Sequence, residues 1–175
     1  MTLPAVSLIL GGARSGKSAY AEGLVTSQPG AWVYLATAEA GDAEMRTRID
    51  HHRARRGPGW LTVEEPLELA ATLLREVSEQ RVVLVDCLTL WLANLMAAER
   101  DLEAETEKLL TLLAAPSGPV VLVSNEVGLG IVPETALGRR FRDHAGRLNQ
   151  QVAAQAQSVI FMAAGLPLRL KTPGN

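Results

Sequence analysis

Gly11, four spacer residues, then Gly16, Lys17 and Ser18 follow directly on an apolar run, Val6 to Leu10. Glycines at that spacing let the backbone approach an anion and turn its N–H groups inward. A lysine neutralises negative charge, and a hydroxyl can hold a divalent metal. Together they form a Walker A phosphate loop, whose ligand is a nucleotide. The segment after Lys17, SAYAEGLV, reads as helical. The loop therefore opens onto a helix N-terminus, with its unsatisfied N–H donors and partial positive charge. A plain glycine-rich turn is the alternative, and the filling of every fixed position argues against it.

Asp86 ends a second run, Val82-Val83-Leu84-Val85-Asp86, in which four apolar residues make a strand and deliver a carboxylate to its tip. This is a Walker B pattern. Mg²⁺ keeps most of its waters and takes few protein oxygens besides phosphate, so Ser18 and Asp86 suffice to hold it. Asp86 would serve equally well as a cap for a helix starting at Leu88. Beside a Walker A motif, the metal role is preferred.

DAEMRTRIDHHRARR, residues 42 to 56, reads as a helix with acidic residues in its first turn and arginines in its last. Arg48, His52 and Arg56 fall four apart and share one face; His51 does not. A neighbouring arginine disfavours the protonated imidazole, which keeps the His52 lone pair available for attack on phosphorus. Spacing alone supports a solvated basic helix better than a nucleophile.

Three further segments carry polar groups next to apolar runs. Thr37-Ala38-Glu39-Ala40-Gly41 follows a strand and serves either as a nucleotide-approaching loop or as turn chemistry. Glu64 is a carboxylate near a strand end, suited to ribose or guanine, or to an ordinary helix N-terminus. Ser124 to Pro133 combines polar heads with two glycines and fits a substrate-covering loop. Beyond it, Arg139, Arg142 and Arg147 lie on a basic helical segment, each more simply read as solvated than as a phosphate ligand.

These loops need a frame. Val6 to Leu10, Trp32 to Ala36, Val82 to Val85, Val120 to Val123 and Val159 to Met162 read as buried strands separated by helical patterns. Runs such as VVLV, at 82 and again at 120, lack polar alternation, as parallel strands covered on both faces do. The expectation is a doubly wound α/β sheet with helices on both faces and ligands at the carboxyl ends of its strands. Pro116 to Pro119 reads as a helix-to-strand connector, and Lys171 to Asn175 as a fraying tail.

The chain has 175 residues, 47% of them hydrophobic, enough for one core, so residues 1–175 are read as a single domain. A net charge of -2 and a pI near 5.9 argue against a surface built for nucleic acid or anionic membrane. Cys87 is the single cysteine, which excludes an internal disulfide and reads as a small buried hydrophobe. No signal-peptide pattern opens the chain, and Leu88 to Ala98, its longest apolar segment, is too short to span a membrane. The expected location is the cytoplasm.

GGARSGKS at 11 to 18, YLAT at 34 to 37, RIDHHRARR at 48 to 56, VDCLTLWLANL at 85 to 95 and SNEVGLGIVPE at 124 to 134 occur in one order. From Leu8 to about Val152 the chain closely resembles the bifunctional adenosylcobinamide kinase/adenosylcobinamide-phosphate guanylyltransferase family of cobalamin biosynthesis. The resemblance implies a RecA-like P-loop fold and two reactions. ATP or GTP phosphorylates adenosylcobinamide. GTP then guanylylates a histidine, and the GMP passes to adenosylcobinamide phosphate to give adenosylcobinamide-GDP. By the R-I-x-x-H motif that histidine is His52. The resemblance also implies phosphate binding by Gly11, Gly12, Ala13, Arg14, Ser15, Gly16, Lys17 and Ser18, and GTP contacts from Thr37, Ala38, Glu39, Arg53, Ala54, Arg55 and Arg56. The same resemblance implies that Glu64 and Asp86 complete the nucleotide site and that the assembly is a homotrimer. A P-loop small-molecule kinase with no covalent intermediate, and a nucleotide-switched binding protein, are the competing readings.

Overall fold

A computed structural model of the chain describes residues 3–38 and 56–174. The five apolar runs all form strands, and two further strands join them: β1 (Val6–Gly11), β2 (Ala31–Ala36), β3 (Trp60–Glu64), β4 (Arg81–Asp86), β5 (Val120–Asn125), β6 (Ser158–Ala163) and β7 (Leu166–Lys171). They make one sheet in the order β3-β2-β4-β5-β1-β6-β7. β1 to β6 run parallel, and β7 returns antiparallel to β6. The two strands not anticipated from the apolar runs are the two edges. β7 carries Pro167 and leaves Leu166, Leu168 and Leu170 exposed, so it lacks the unbroken apolar run of a central strand.

Lys171 corrects one expectation. It does not begin a fraying tail: it is the last residue of β7, and its Nζ donates to the carbonyls of Ala153 and Ala154 at 3.1 and 3.0 Å. Those carbonyls belong to the last turn of a helix, where no intrahelical N–H reaches them.

Among the described residues five helices cover the sheet: α1 (Lys17–Thr26), α2 (Leu69–Glu76), α3 (Leu88–Ala97), α4 (Leu102–Ala114) and α5 (Ala136–Gln155). The expected helix over 42 to 56 lies outside the described residues apart from Arg56. Strand alternation sorts the side chains into two cores. Leu8, Val33, Val83, Val85, Val120, Leu122 and Val159 pack with Leu73, Trp91, Leu109 and Leu148 of α2 to α5. Ile9, Tyr34, Leu84, Val121, Val123 and Ile160 face the other way, onto Ala21 and Val25 of α1. The absence of polar alternation in VVLV therefore follows from burial on both faces.

The register aligns the strand tips. Gly11 pairs with Asn125, Val123 with Asp86, and Ala36 with both Asp86 and Glu64. All four candidate loops thus leave one edge. β5 lies between the phosphate-loop strand and the Asp86 strand, which widens the interval between Lys17 and the carboxylate by one strand.

Candidate nucleotide site

The loop from Gly11 to Gly16 ends in a left-handed N-cap, Gly16 at φ 95°, and no side chain caps α1. The first turn of α1 consequently keeps its backbone donors for a ligand. Lys17 is buried to 7% exposure, and its ammonium donates to the Gly12 carbonyl at 2.7 Å. Burial pulls its pKa below the ordinary lysine value, and the negative charge of Asp86 opposes that pull. Gly11 admits no side chain, since a Cβ there would lie 2.5 Å from the Met162 carbonyl oxygen on β6.

Period two places Glu64, Asp86 and Asn125 on the α1 face, together with Tyr34 and Leu84. Tyr34 lies beside Asp86, and burial first, then the Asp86 charge, raises the phenol far above its usual range. The Arg56 guanidinium stacks 3.4 Å over the Tyr34 ring, and Trp60 meets the same ring edge-on at 6.1 Å. Tyr34 therefore neighbours both Arg56 and Asp86, two residues expected at the nucleotide. Sequence reasoning passed over it. The available signal was its position two residues before the tip of β2, on the same pleat as Ala36.

Asp86 Oδ2 and Arg56 Nη1 are both buried without a hydrogen-bond partner among the described residues. A buried carboxylate oxygen left open is a costly group unless something cationic completes it. Asp86 therefore fits a divalent cation, and Arg56 an anion. Among the described residues no group of three or more His, Cys, Asp or Glu side chains could hold a metal by itself. A cation here would draw its remaining oxygens from a hydroxyl, water or phosphate.

Thr37 takes a part its loop position did not suggest. It is fully buried, its hydroxyl accepts from the Cys87 N–H at 2.8 Å and donates to the Cys87 carbonyl at 2.7 Å, and its own N–H donates to the Asp86 carbonyl. Asn94 Nδ2 in turn donates to the Thr37 carbonyl at 2.7 Å. These bonds clasp the tip of β4 that carries Asp86. Cys87 is buried and its thiol is pushed up to about 11, by burial first and Asp86 second, so it stays protonated. Ala38 is half-buried beside Thr37, and Glu64 stands exposed at the tip of β3. Glu39, His52, Arg53, Ala54 and Arg55 lie outside the described residues.

The tip of β5 is clamped on both sides. The Asn125 N–H donates to Thr89 Oγ1 at 2.7 Å, and its carbonyl accepts from Asn149 Nδ2 at 3.2 Å. The next N–H, of Glu126, donates to the Gly11 carbonyl, which ties the following loop to the phosphate loop. That loop then turns outward, leaving Leu129, Ile131 and Val132 exposed at 80%, 96% and 59%. Arg139 donates to the carbonyls of Pro133 and Glu134, and Arg142 pairs with Asp143, so both have local partners.

Residues 7–170 match the model of the cobinamide kinase / cobinamide phosphate guanyltransferase family. The chain belongs to that family. It is 54% identical over 166 residues to the bifunctional adenosylcobalamin biosynthesis protein CobP of Pseudomonas aeruginosa, an alignment covering 94% of this chain and 96% of the relative. It is 40% identical over 179 residues to CobU of Escherichia coli, which carries the same description, with 94% and 98% covered. Among solved structures, the type III secretion ATPase EscN aligns with a TM-score of 0.58 at 13% identity, over 92% of this chain and 43% of that one. The RadB recombinase aligns with a TM-score of 0.53 at 16% identity, over 91% and 74%. Those two likenesses establish the P-loop, RecA-like fold. No helix among the described residues is long and apolar enough to cross a membrane.

Proposed function

We propose that this chain phosphorylates adenosylcobinamide and then transfers GMP to the product, using one triphosphate site at Gly11 to Ser18. The observation that carries this reading is the open Asp86 Oδ2 on the face that bears buried Lys17, in a chain whose family match runs from residue 7 to 170. A kinase acting at such a site needs little covalent chemistry of its own, only positioning and charge. The backbone of Gly12, Ala13, Arg14 and Gly16 supplies donors beside Ser15, whose own N–H holds the Gly12 carbonyl, and Lys17 leaves that carbonyl for phosphate oxygens. Ser18 and Asp86 would hold Mg²⁺, which when bound neutralises charge on the phosphate oxygens. The γ-phosphoryl group of ATP or GTP then passes to the adenosylcobinamide hydroxyl.

For the second reaction, a ring nitrogen of His52 attacks the α-phosphorus of GTP, the α–β anhydride breaks and pyrophosphate leaves. A phosphate oxygen of adenosylcobinamide phosphate next displaces the imidazole, breaking P–N and forming the P–O–P link of adenosylcobinamide-GDP. Dividing the transfer this way avoids bringing two bulky polyanions together in one step. Thr37, Ala38, Glu39, Arg53, Ala54, Arg55, Arg56 and Glu64 line the GTP side in this scheme. Arg56 is the best supported of them, because its unpaired Nη1 is buried beside Tyr34. A homotrimer in the cytoplasm completes the proposal.

The test uses GTP labelled in the guanosine and the α-phosphate, followed by denaturation. The wild type should retain both labels through an acid-labile, base-stable bond, and His52→Ala should lose the labels and the transferase while keeping the kinase. Label retained in His52→Ala removes that residue from the nucleophile role.

A further inference from the structure

We propose that the β6–β7 turn is a strut of the phosphate loop and that Gly165 is a positioning residue for nucleoside triphosphate binding. The inference rests on the reading that Gly11 to Ser18 cradle a triphosphate, and it reaches a part of the chain that no motif touches. Ala163 pairs with Leu166, so the hairpin turns on two residues, Ala164 at φ 52° and Gly165 at φ 80°. Both lie in the left-handed region, as the tightest hairpin turn requires, and glycine suits the second place. This turn does not project into solvent alone. The Gly165 N–H donates to the Ser15 carbonyl at 3.0 Å. A Cβ built on Gly16 would lie 3.3 Å from Gly165 Cα, and one on Gly11 would strike the Met162 carbonyl of β6. The loop is thus backed at its start and at its crest by the same hairpin.

Peptide geometry gives that contact its function. The only cis peptide among the described residues is Asp86–Cys87, so the Ser15–Gly16 peptide is trans and planar, and its C=O and N–H point in opposite directions. Drawing the Ser15 carbonyl onto Gly165 therefore turns the Gly16 N–H away from the hairpin, as a donor for an anion held by the loop. A phosphate loop must keep its carbonyls off the phosphates while offering its N–H groups. Gly12 satisfies that demand through Ser15 N–H and Lys17 Nζ; among the described residues Ser15 satisfies it only through Gly165. Loosening the turn frees the peptide to rotate its oxygen inward, against the phosphates.

The experiment is calorimetric binding of a non-hydrolysable GTP analogue to the full chain, with KM and kcat for the kinase step measured in parallel. Gly165→Val places a β-branched side chain at positive φ and should raise the dissociation constant and the nucleotide KM about tenfold, with kcat changed far less. Leu168→Ser, on the exposed side of the same hairpin, and Ala164→Gly, which relieves positive φ without moving the turn, should each bind within twofold of wild type. Lys17→Met should abolish measurable binding. Where Gly165→Val fails to fold, Gly165→Ala serves instead, with a smaller weakening of about threefold, since no atom crowds its Cβ. A folded Gly165 variant that binds like wild type overturns the strut. So does a Leu168→Ser protein that loses as much affinity as Gly165→Val. Undiminished binding by Lys17→Met would instead sink the triphosphate site itself, leaving the two failures distinct.

Discussion

The face of the sheet under α2 to α5 packs Leu8, Val83, Leu122 and Val159 against four helices and the fully buried Trp91. The opposite face meets α1, with Leu90 of α3 packed beside it, and along its carboxyl edge it holds Lys17, Asp86, Asn125 and Tyr34. Buried charge behaves differently on the two. On the helical face, Glu105 is buried but satisfied, by Arg100 at 2.6 Å and Lys108 at 3.0 Å, and Arg100 also reaches Glu68 at 2.9 Å. On the α1 face, Lys17 is buried against a carbonyl and Asp86 Oδ2 has no hydrogen-bond partner among the described residues. Satisfied charge stabilises a fold. Open charge stabilises what is bound to it, at some cost to the empty protein.

Substitutions on the two faces should therefore separate stability from function. Trp91→Ala removes the largest fully buried side chain together with its hydrogen bond to the Leu67 carbonyl. It should lower stability by about 3–5 kcal/mol while the folded fraction keeps its nucleotide affinity. Denaturant titration and binding on one sample would show this, and a selective loss of affinity would break the division between the faces.

Lys17→Met should do the reverse, cutting kcat/KM about 10²–10³-fold while stabilising the nucleotide-free protein. Burial holds the Lys17 pKa below 10.5, so the folded chain releases that proton before the unfolded chain does. Wild-type stability then rises as pH climbs towards 10.5, and the advantage of Lys17→Met is largest near neutral pH and shrinks above it. Melting curves across pH 7 to 10.5 test the sign; a destabilised variant at neutral pH refutes it.

Thr37→Val tests the clasp between the faces. It strands the buried Cys87 N–H and should cost about 1–3 kcal/mol, with a fall in kcat as the tip bearing Asp86 shifts. An unchanged melting temperature would show that the clasp is dispensable.

Glu105→Gln should have the smallest effect, about 1 kcal/mol at pH 7, with kinetics untouched. Burial alone would raise the Glu105 carboxyl, and its bonds to Arg100 and Lys108 overcome that and hold it below 4.5. Its contribution is present above pH 4.5 and disappears as pH falls through the folded-state value, so the two proteins should converge in acid. A difference that persists or grows there would contradict the assignment.

Legibility varied along the chain for physical reasons. The five central strands are apolar runs because both their faces are covered, so burial writes itself into composition. β3 and β7 are edges, where half-exposure breaks the run, as Pro167 and Arg169 show. The phosphate loop was legible because its chemistry is local: successive residues supply both its donors and its charge. Tyr34 and the second part played by Thr37 were not, because each depends on a partner about 50 residues away, Asp86 or Cys87.

Residue types and spacing by themselves determined the phosphate loop, the carboxylate at residue 86, the parallel α/β class and the family. Only the folded chain decided that β5 separates Lys17 from Asp86, that Tyr34 neighbours both Arg56 and Asp86, and that a C-terminal turn braces Ser15. Strand order and cross-sheet hydrogen bonds join residues distant in sequence, and their cost in chain entropy is met by the cooperative packing of the whole sheet rather than by any local pattern.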